Sequence, residues 1–547
     1  MTDWCQERTA REARLERARV HADGKVVPAA RVVDLLEAIL QPGDRVCLEG
    51  DNQKQADCLA RGLSACDPAR VHDLHMVQSG IVLPEHLDIF EQGIAKRLDY
   101  SYSGPQGGRI AKMLYGGQIE LGAVHTYLEL FARYFIDLTP NVALIAGVSA
   151  DRDGNLYTGP NTEDTPTVVE ATAFKNGVVV AQVNAIVDRV PRVDIPGDRV
   201  HFVVEAGKPF YVEPLFTRDP GAITETQILT AMLAIKGLYA PYGIRRLNHG
   251  IGFNTAIELL LPTYGEKLGL RGKVCTHWAL NPHPTLIPAI EAGWVEQIHS
   301  FGSEVGMDDY IAARPDIYFT GADGSLRSNR AFCQTAGLYA CDLFIGSTLQ
   351  IDLSGHSSTV TTNRIAGFGG APNMGSDPRG RRHPSEPWLK AGAEADPDTP
   401  APLRRGRQLE VQSGETIGDG NVPLYVERLD ALALAEKLDL PLAPVMVYGD
   451  DVTHIVTEEG IANLLLCRNA DEREQAIRGV AGYTEIGRRR DAGLVARLRE
   501  RGVIRRPEDL GIDPLDADRS LLAARSIKDL ALASGGLYRP PSQFRNW

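Results

Sequence analysis

Short apolar runs alternating with amphipathic stretches organise this chain. Runs at 45–48, 142–148, 177–183 and 200–204 are rich in Val, Ile and Leu, and 125–137 carries apolar residues at helical spacing. That alternation predicts parallel βα units, whose strands are buried on both faces by the helices connecting them. The pattern restarts near residue 245. Runs at 274–275, 316–320, 343–351 and 444–447 are strand candidates there, with 251–261 and 458–467 as helices. The expected fold is α/β: two tandem open parallel-sheet domains, 31–240 and 241–547, after a charged helical arm at 1–30. A Pro-, Arg- and Asp-rich stretch at 378–407 reads as a long surface loop.

Bulk properties narrow the picture. A chain of 547 residues exceeds one ordinary core, and 43% hydrophobic content with mixed charges describes a globular protein. The net charge of −13 argues against nucleic acid as a partner, because neutralising phosphates needs a basic face. The charged N-terminus lacks the apolar centre of a signal peptide, and no apolar run reaches the roughly 18 residues that span a bilayer. A cytoplasmic location is expected. The 8 cysteines show no C-x-x-C spacing and read as reduced thiols.

Candidate chemistry concentrates at 349–377, LQIDLSGHSSTVTTNRIAGFGGAPNMGSD, where a strand carrying Asp352 runs into Gly367, Gly369, Gly370 and Gly375. Glycines this close let backbone N–H groups converge on one small space, which suits a developing oxyanion or a phosphate. A dinucleotide fingerprint is excluded, since its third glycine falls at Pro372. H-E-x-x-H, G-x-S-x-G and Walker signatures are absent, and His277, His283 and His299 lack i, i+4 spacing, so no metal site is expected.

The order LQIDLSG then GFGG resembles the C-terminal half of CoA-transferases of the acetyl-CoA hydrolase and transferase type. So do LNHGIGFNTAIELLL at 247–261, VTHIVTEEGIAN at 452–463 and NVALIAGVSADRDGN at 141–155. DRVCLEGDNQKQAD, YTGPNTEDTPTVVEATAF, HWALNPHPTLIPAIEAG and GGLYRPPSQFRNW narrow this to a resemblance, over essentially the whole chain, to the alpha subunit of bacterial malonate decarboxylase. The resemblance implies two CoA-transferase-like domains and an acyl-carrier-protein transferase. Such an enzyme exchanges acetyl for malonyl on the carrier's phosphopantetheine-type thiol, binds no cofactor of its own, and partners the carrier and the decarboxylase subunits. An acidic carrier would be repelled at long range, so docking calls for a local basic patch; 379–383 (RGRRH) and 404–407 (RRGR) are candidates.

In similar CoA-transferases a glutamate in an H-[TS]-E segment attacks the thioester. Aligned on His277, this chain has Ala279 there, leaving Glu291, Glu296 or Glu304 as displaced substitutes. Malonate brings its own carboxylate, and a mixed malonic-acetic anhydride needs no enzyme nucleophile. The expected catalytic groups are the Gly369 and Gly370 amides as oxyanion donors, with His277 and Asn281 near the vacated glutamate position. Gly250, Gly252, Phe368, Arg327, Arg330, Arg364 and Asn161 are substrate-binding candidates, Glu163 joins Asn161 as a cleft-facing candidate, and the competing reading of this segment is a helix start at Thr165-Pro166. The competing functions are a CoA-transferase or thioesterase acting on free CoA, and a non-catalytic docking subunit.

Overall fold

A computed structural model describes residues 3–51, 54–159, 164–207, 219–249, 252, 254–280, 283–300, 304–319, 341–370, 409–545 and 547. Asn161, Glu163, Gly250, Asn281, Arg327, Arg330 and the surface loop 378–407, with both of its basic runs, lie outside these residues.

The first sheet contains, in chain order, β1 (Val26–Pro28), β2 (Arg45–Leu48), β3 (Leu74–Gly80), β4 (Ala95–Tyr102), β5 (Glu120–Val124), β6 (Val142–Ala150), β7 (Leu156–Tyr157), β8 (Val178–Ile186) and β9 (Phe202–Glu205). Its spatial order is β1-β9-β8-β6-β2-β3-β4-β5. All neighbours on this path are parallel, and β7 pairs antiparallel with β6. The central strands β6 and β8 are almost continuously apolar and buried, with Leu144 opposite Val180, as burial on both faces requires. The helix Tyr127–Ile136 that follows β5 begins at a reciprocal cap between Thr126 and Glu129.

The second sheet contains β10 (Arg246–His249), β11 (His277–Ala279), β12 (Gln297–His299), β13 (Leu343–Ser347), β14 (Leu409–Ser413), β15 (His454–Thr457), β16 (Gly460–Asn463) and β17 (Ile504–Arg505). Its order is β12-β11-β10-β13-β14-β15-β16-β17, parallel up to β15 and antiparallel beyond. The expected α/β architecture of two open, mainly parallel sheets is present.

Several sequence expectations change, and the strand candidates at 316–320 and 444–447 hold only isolated bridges, at Tyr318 and Val447, among the described residues. The helix expected at 458–467 is a hairpin strand, β16, because Gly460 takes φ +145°, and a side chain there would overlap the Arg505 carbonyl. The run at 274–275 precedes its strand, since Cys275 sits at φ +58° and β11 starts at His277. The charged arm forms the helix Trp4–Ala18, but Arg14 is buried in it, donating to Asp44 Oδ1 at 2.9 Å and to the Ile39 carbonyl at 2.9 Å. The helix Glu225–Ala234 packs Ile228, Ala231 and Leu233 into the core of the second sheet, although it precedes residue 240.

Between β13 and β14 the chain leaves its own sheet. Residues 348–370 form two small hairpins, Gln350–Ile351 with Ser357–Ser358 and Val360–Thr361 with Arg364–Ile365. Their residues Ile351, Val360, Ile365 and Phe368 join Leu98, Tyr100, Ile110 and Leu114 of the first half in one apolar core. The two halves are therefore fastened by shared burial.

Candidate functional site

The glycine turn ends that excursion against the carboxyl edge of the first sheet. Ser101, near the end of β4, accepts the N–H groups of both Phe368 (2.6 Å) and Gly369 (2.9 Å) through its carbonyl. Gly369 in turn accepts the Tyr127 N–H at 3.0 Å, and Ser103 N–H donates to the Ala366 carbonyl at 2.8 Å. Gly367 and Gly369 sit at φ +80° and +66°, the left-handed region. The Gly369 amide, expected as an oxyanion donor, is thus committed to Ser101, and the turn is a clip between the halves. Gly370 N–H makes no hydrogen bond among the described residues. Phe368 is buried in the shared core, and Arg364 is exposed with its stem beside Gly107 of the helix Gly107–Tyr115.

At the carboxyl edge of the second sheet, Gly252 has φ +108°, and a Cβ there would lie 3.2 Å from Ser347 Oγ, at the end of β13. Ser347 Oγ is buried without a hydrogen-bond partner among the described residues. A buried hydroxyl with nothing to bond is costly unless a ligand or water completes it. Ser347 has no signature in the sequence, because a serine closing a buried strand carries no motif.

His277 is not brought to this edge. It opens β11 opposite Arg246, the first residue of β10, whereas His249 closes β10 three residues later, a rise of about 10 Å. His277 is half-exposed, its Nδ1 2.9 Å from Thr276 Oγ1 and its Nε2 3.9 Å from Glu296. It belongs to the amino edge, because parallel strands present their first residues on the side away from Gly252. Ala279 is buried against Cys341 and Phe344, so its surroundings are apolar.

That half also buries a carboxylate, Glu258, in the helix Asn254–Leu260. Its Oε1 lies 3.1 Å from His249 Nδ1 and 2.9 Å from His283 Nδ1, and its Oε2 accepts the Thr285 hydroxyl at 2.5 Å. His249 Nε2 faces the Tyr239 hydroxyl at 2.9 Å. Burial pushes the Glu258 carboxyl up, but His283 and His249 outweigh it and hold it below the usual carboxylate range. Burial lowers His249, which fits a neutral ring accepting from Tyr239 and donating to Glu258. This network ties the segments after β10 and β11 together. Its residues lie 9 and 25 positions apart, and no local spacing announces them.

The first sheet contributes two more buried polar clusters. Glu49, just past β2, accepts Ala146 N–H at 2.8 Å and the Thr165 hydroxyl at 2.5 Å, and pairs with the buried Lys54 at 3.3 Å. Asp99 on β4 lies 2.7 Å from both His75 Nε2 and His125 Nε2. Burial pushes Asp99 up, yet the hydrogen bonds from the two imidazoles bring it below its ordinary range. His125 precedes Thr126, which bridges to Gly369, so the Asp99 cluster underlies the clip.

Residues 3–547 match the family described as malonate decarboxylase, alpha subunit, transporter. The chain belongs to that family. It is 60% identical, over 100% of its length and 99% of the relative's, to the acetyl-S-ACP:malonate ACP transferase of Malonomonas rubra. In a crystal structure of a Pseudomonas malonate decarboxylase hetero-tetramer in complex with malonate, one chain is 60% identical, with TM-score 0.93 and coverage of 100% of this chain and 99% of that one. An acyl-CoA transferase of Escherichia coli O157:H7, 13% identical at TM-score 0.50 over 81% of this chain and 89% of its own, shares the fold alone. No helix among the described residues of this malonate decarboxylase alpha subunit is long and apolar enough to cross a membrane.

Proposed function

We propose that this chain is the acyl-carrier-protein transferase of a cytoplasmic malonate decarboxylase complex, exchanging acetyl for malonyl on the carrier's phosphopantetheine-type thiol. The full-length 60% identity to the Malonomonas rubra transferase carries this reading. Malonate and the acetylated carrier are its substrates, acetate is released, and decarboxylase subunits consume the malonyl carrier.

The chemistry runs without an enzyme nucleophile. A malonate carboxylate oxygen attacks the acetyl thioester carbonyl, and the tetrahedral intermediate collapses with cleavage of the C–S bond. The products are a mixed malonic-acetic anhydride and the carrier thiolate. The thiolate then attacks the malonyl carbonyl, the C–O bond breaks, and acetate departs with one oxygen that began on malonate. Apolar packing at Ala279 and the immobilised Glu258 support this route. Each step develops an oxyanion, for which the Gly370 N–H and the Ser347 hydroxyl are the donors in this reading, with Gly252 giving the close approach that a side chain would block. Asn161, Gly250, Asn281, Arg327 and Arg330 remain proposed substrate contacts from sequence.

The test uses purified chain, acetylated carrier and ¹⁸O-malonate. Label in the released acetate, with malonyl carrier by mass, is expected. Unlabelled acetate, or a hydroxylamine-sensitive glutamyl adduct on this chain, overturns the anhydride route. Failure to form malonyl carrier overturns the transferase reading.

A further inference from the structure

On the amino edge of the second sheet, away from Gly252 and Ser347, lies a cavity of about 200 Å³ between β15, β16, β17 and the π-helical turn Ile235–Tyr239. At about 30 Å³ per water it has room for roughly six or seven water molecules. π-turns recur at functional sites, and Gly237 in this one lets the Ile461 side chain pack close, where a Cβ would overlap it.

The polar groups of this cavity have a fixed direction. Thr453 Oγ1 donates to the Glu410 carbonyl at 2.9 Å, so at 3.1 Å it accepts from His454 Nδ1. His454 Nε2 is then an acceptor, receiving the Tyr242 hydroxyl at 3.2 Å, and the Tyr242 oxygen accepts the Asn463 amide at 2.9 Å. Burial first, and then the charge of Arg505, lowers His454 to about 3, consistent with that neutral tautomer. What is left facing the cavity is donor-rich: the second N–H of the Asn463 amide and the Arg505 guanidinium. Arg505 makes no ion pair among the described residues, while Arg499 and Arg501 nearby are each paired with carboxylates. None of the eleven lining residues is acidic, and Leu238, Ile461 and Val503 supply an apolar wall.

We propose that this cavity binds a short-chain monocarboxylate, its carboxylate on Arg505 and the Asn463 amide, its alkyl tail against Leu238, Ile461 and Val503. One cation matches one carboxylate in bidentate geometry. A dicarboxylate would press its second charge on the apolar wall without a partner, which is unfavourable. The site is separate from the transferase edge and stands whether or not that assignment holds.

The experiment titrates the purified full chain with ¹³C-butyrate by NMR, with malonate and inorganic phosphate as comparison anions. Saturable butyrate binding is expected, tighter than malonate or phosphate and weakened about tenfold or more by Arg505→Gln. Arg505 is exposed, so its replacement should leave the urea midpoint unchanged. Leu466→Trp, which fills the cavity from a partly exposed wall, should abolish binding and serves as the second variant. Absence of saturation, equal affinity in Arg505→Gln, or tighter binding of malonate overturns the proposal. So does loss of association with partner subunits in Arg505→Gln without any butyrate binding, which would make the cavity a receptor for a partner's acidic side chain.

Discussion

Gly367 and Gly369 stand two residues apart at similar positive φ, and the clip geometry predicts very different consequences for an alanine at each. A Cβ on Gly369 meets only Tyr127 Cε2 at 3.7 Å, an ordinary contact. Gly369→Ala therefore carries mainly the left-handed backbone penalty, about 1–2 kcal/mol, partly offset by a stiffer unfolded chain. A Cβ on Gly367 overlaps the Ser101 carbonyl oxygen and comes 2.9 Å from Tyr102 Cα, both backbone atoms that cannot rotate away. Relief requires the turn to lift, which breaks the Phe368 and Gly369 bonds to Ser101 and the Ser103 bond to Ala366. At about 1 kcal/mol net for each of these bonds, added to the same backbone penalty, Gly367→Ala should lose roughly 4–5 kcal/mol locally. Urea unfolding combined with hydrogen exchange of the peptide covering 365–370 measures this directly. Exchange should accelerate by orders of magnitude in Gly367→Ala and only modestly in Gly369→Ala. Equal destabilisation by the two, or slow exchange retained in Gly367→Ala, refutes the clip as described.

Ser347→Ala should lower turnover by about 10² to 10³ with little change in urea midpoint, the effect of losing one oxyanion donor; an unchanged rate removes Ser347 from the site. Glu258→Gln leaves two buried imidazoles facing an amide and should lose about 3–5 kcal/mol by urea titration, and a loss below 1 kcal/mol would show that the network is loosely held. Burial lowers His86 to about 4, and its ring nitrogens have no partner among the described residues. Because this folded value lies below the ordinary 6.5, its neutral ring contributes stability fully above that pH, and the contribution falls away as pH drops toward 4. His86→Leu should flatten that part of a melting-temperature profile between pH 7.5 and 5; an identical profile contradicts the assignment. Ala279→Glu should destabilise the chain without producing a hydroxylamine-sensitive adduct, since the new carboxylate would be buried against Cys341 and Phe344.

The sheets are legible because their central strands are almost continuously apolar, as in 142–150 and 178–186, a pattern that parallel burial imposes. Turn residues were legible as punctuation but not as contacts. The GFGG cluster does need its glycines, yet the reason is the approach of Ser101 from the other half, and no local pattern reveals which backbone will come near. The hairpin at 454–463 was read as helix from its second part because the length of an apolar run does not tell strand from helix, and Gly460 looked like an ordinary interruption. His277 was placed at the site by motif alignment. Its position as first residue of β11 depends on where the strand begins, and that is fixed by the left-handed Cys275 two residues before it.

The engagement of the chain's own carboxylates supports the proposed route, in which the substrate does the attacking. In the second half, the two oxygens of Glu258 already face two imidazoles and a hydroxyl. Glu458, beyond β15, accepts the Thr416 N–H and hydroxyl. Glu291 is paired with Tyr310 and Arg314, and Glu296 lies with Arg245 near the amino edge. Glu410 is wholly buried, and burial, with the charge of Asp451 nearby, holds its carboxyl well above the usual range. A carboxylate whose lone pairs are engaged by two or three donors must surrender those bonds before it can attack, and each charge-assisted bond is worth about 1.5–3 kcal/mol. Malonate enters with no such obligation to the protein's interior. In the proposed route the chain's part is to hold malonate's carboxylate against the thioester, where positioning alone can supply about 7–11 kcal/mol of the barrier.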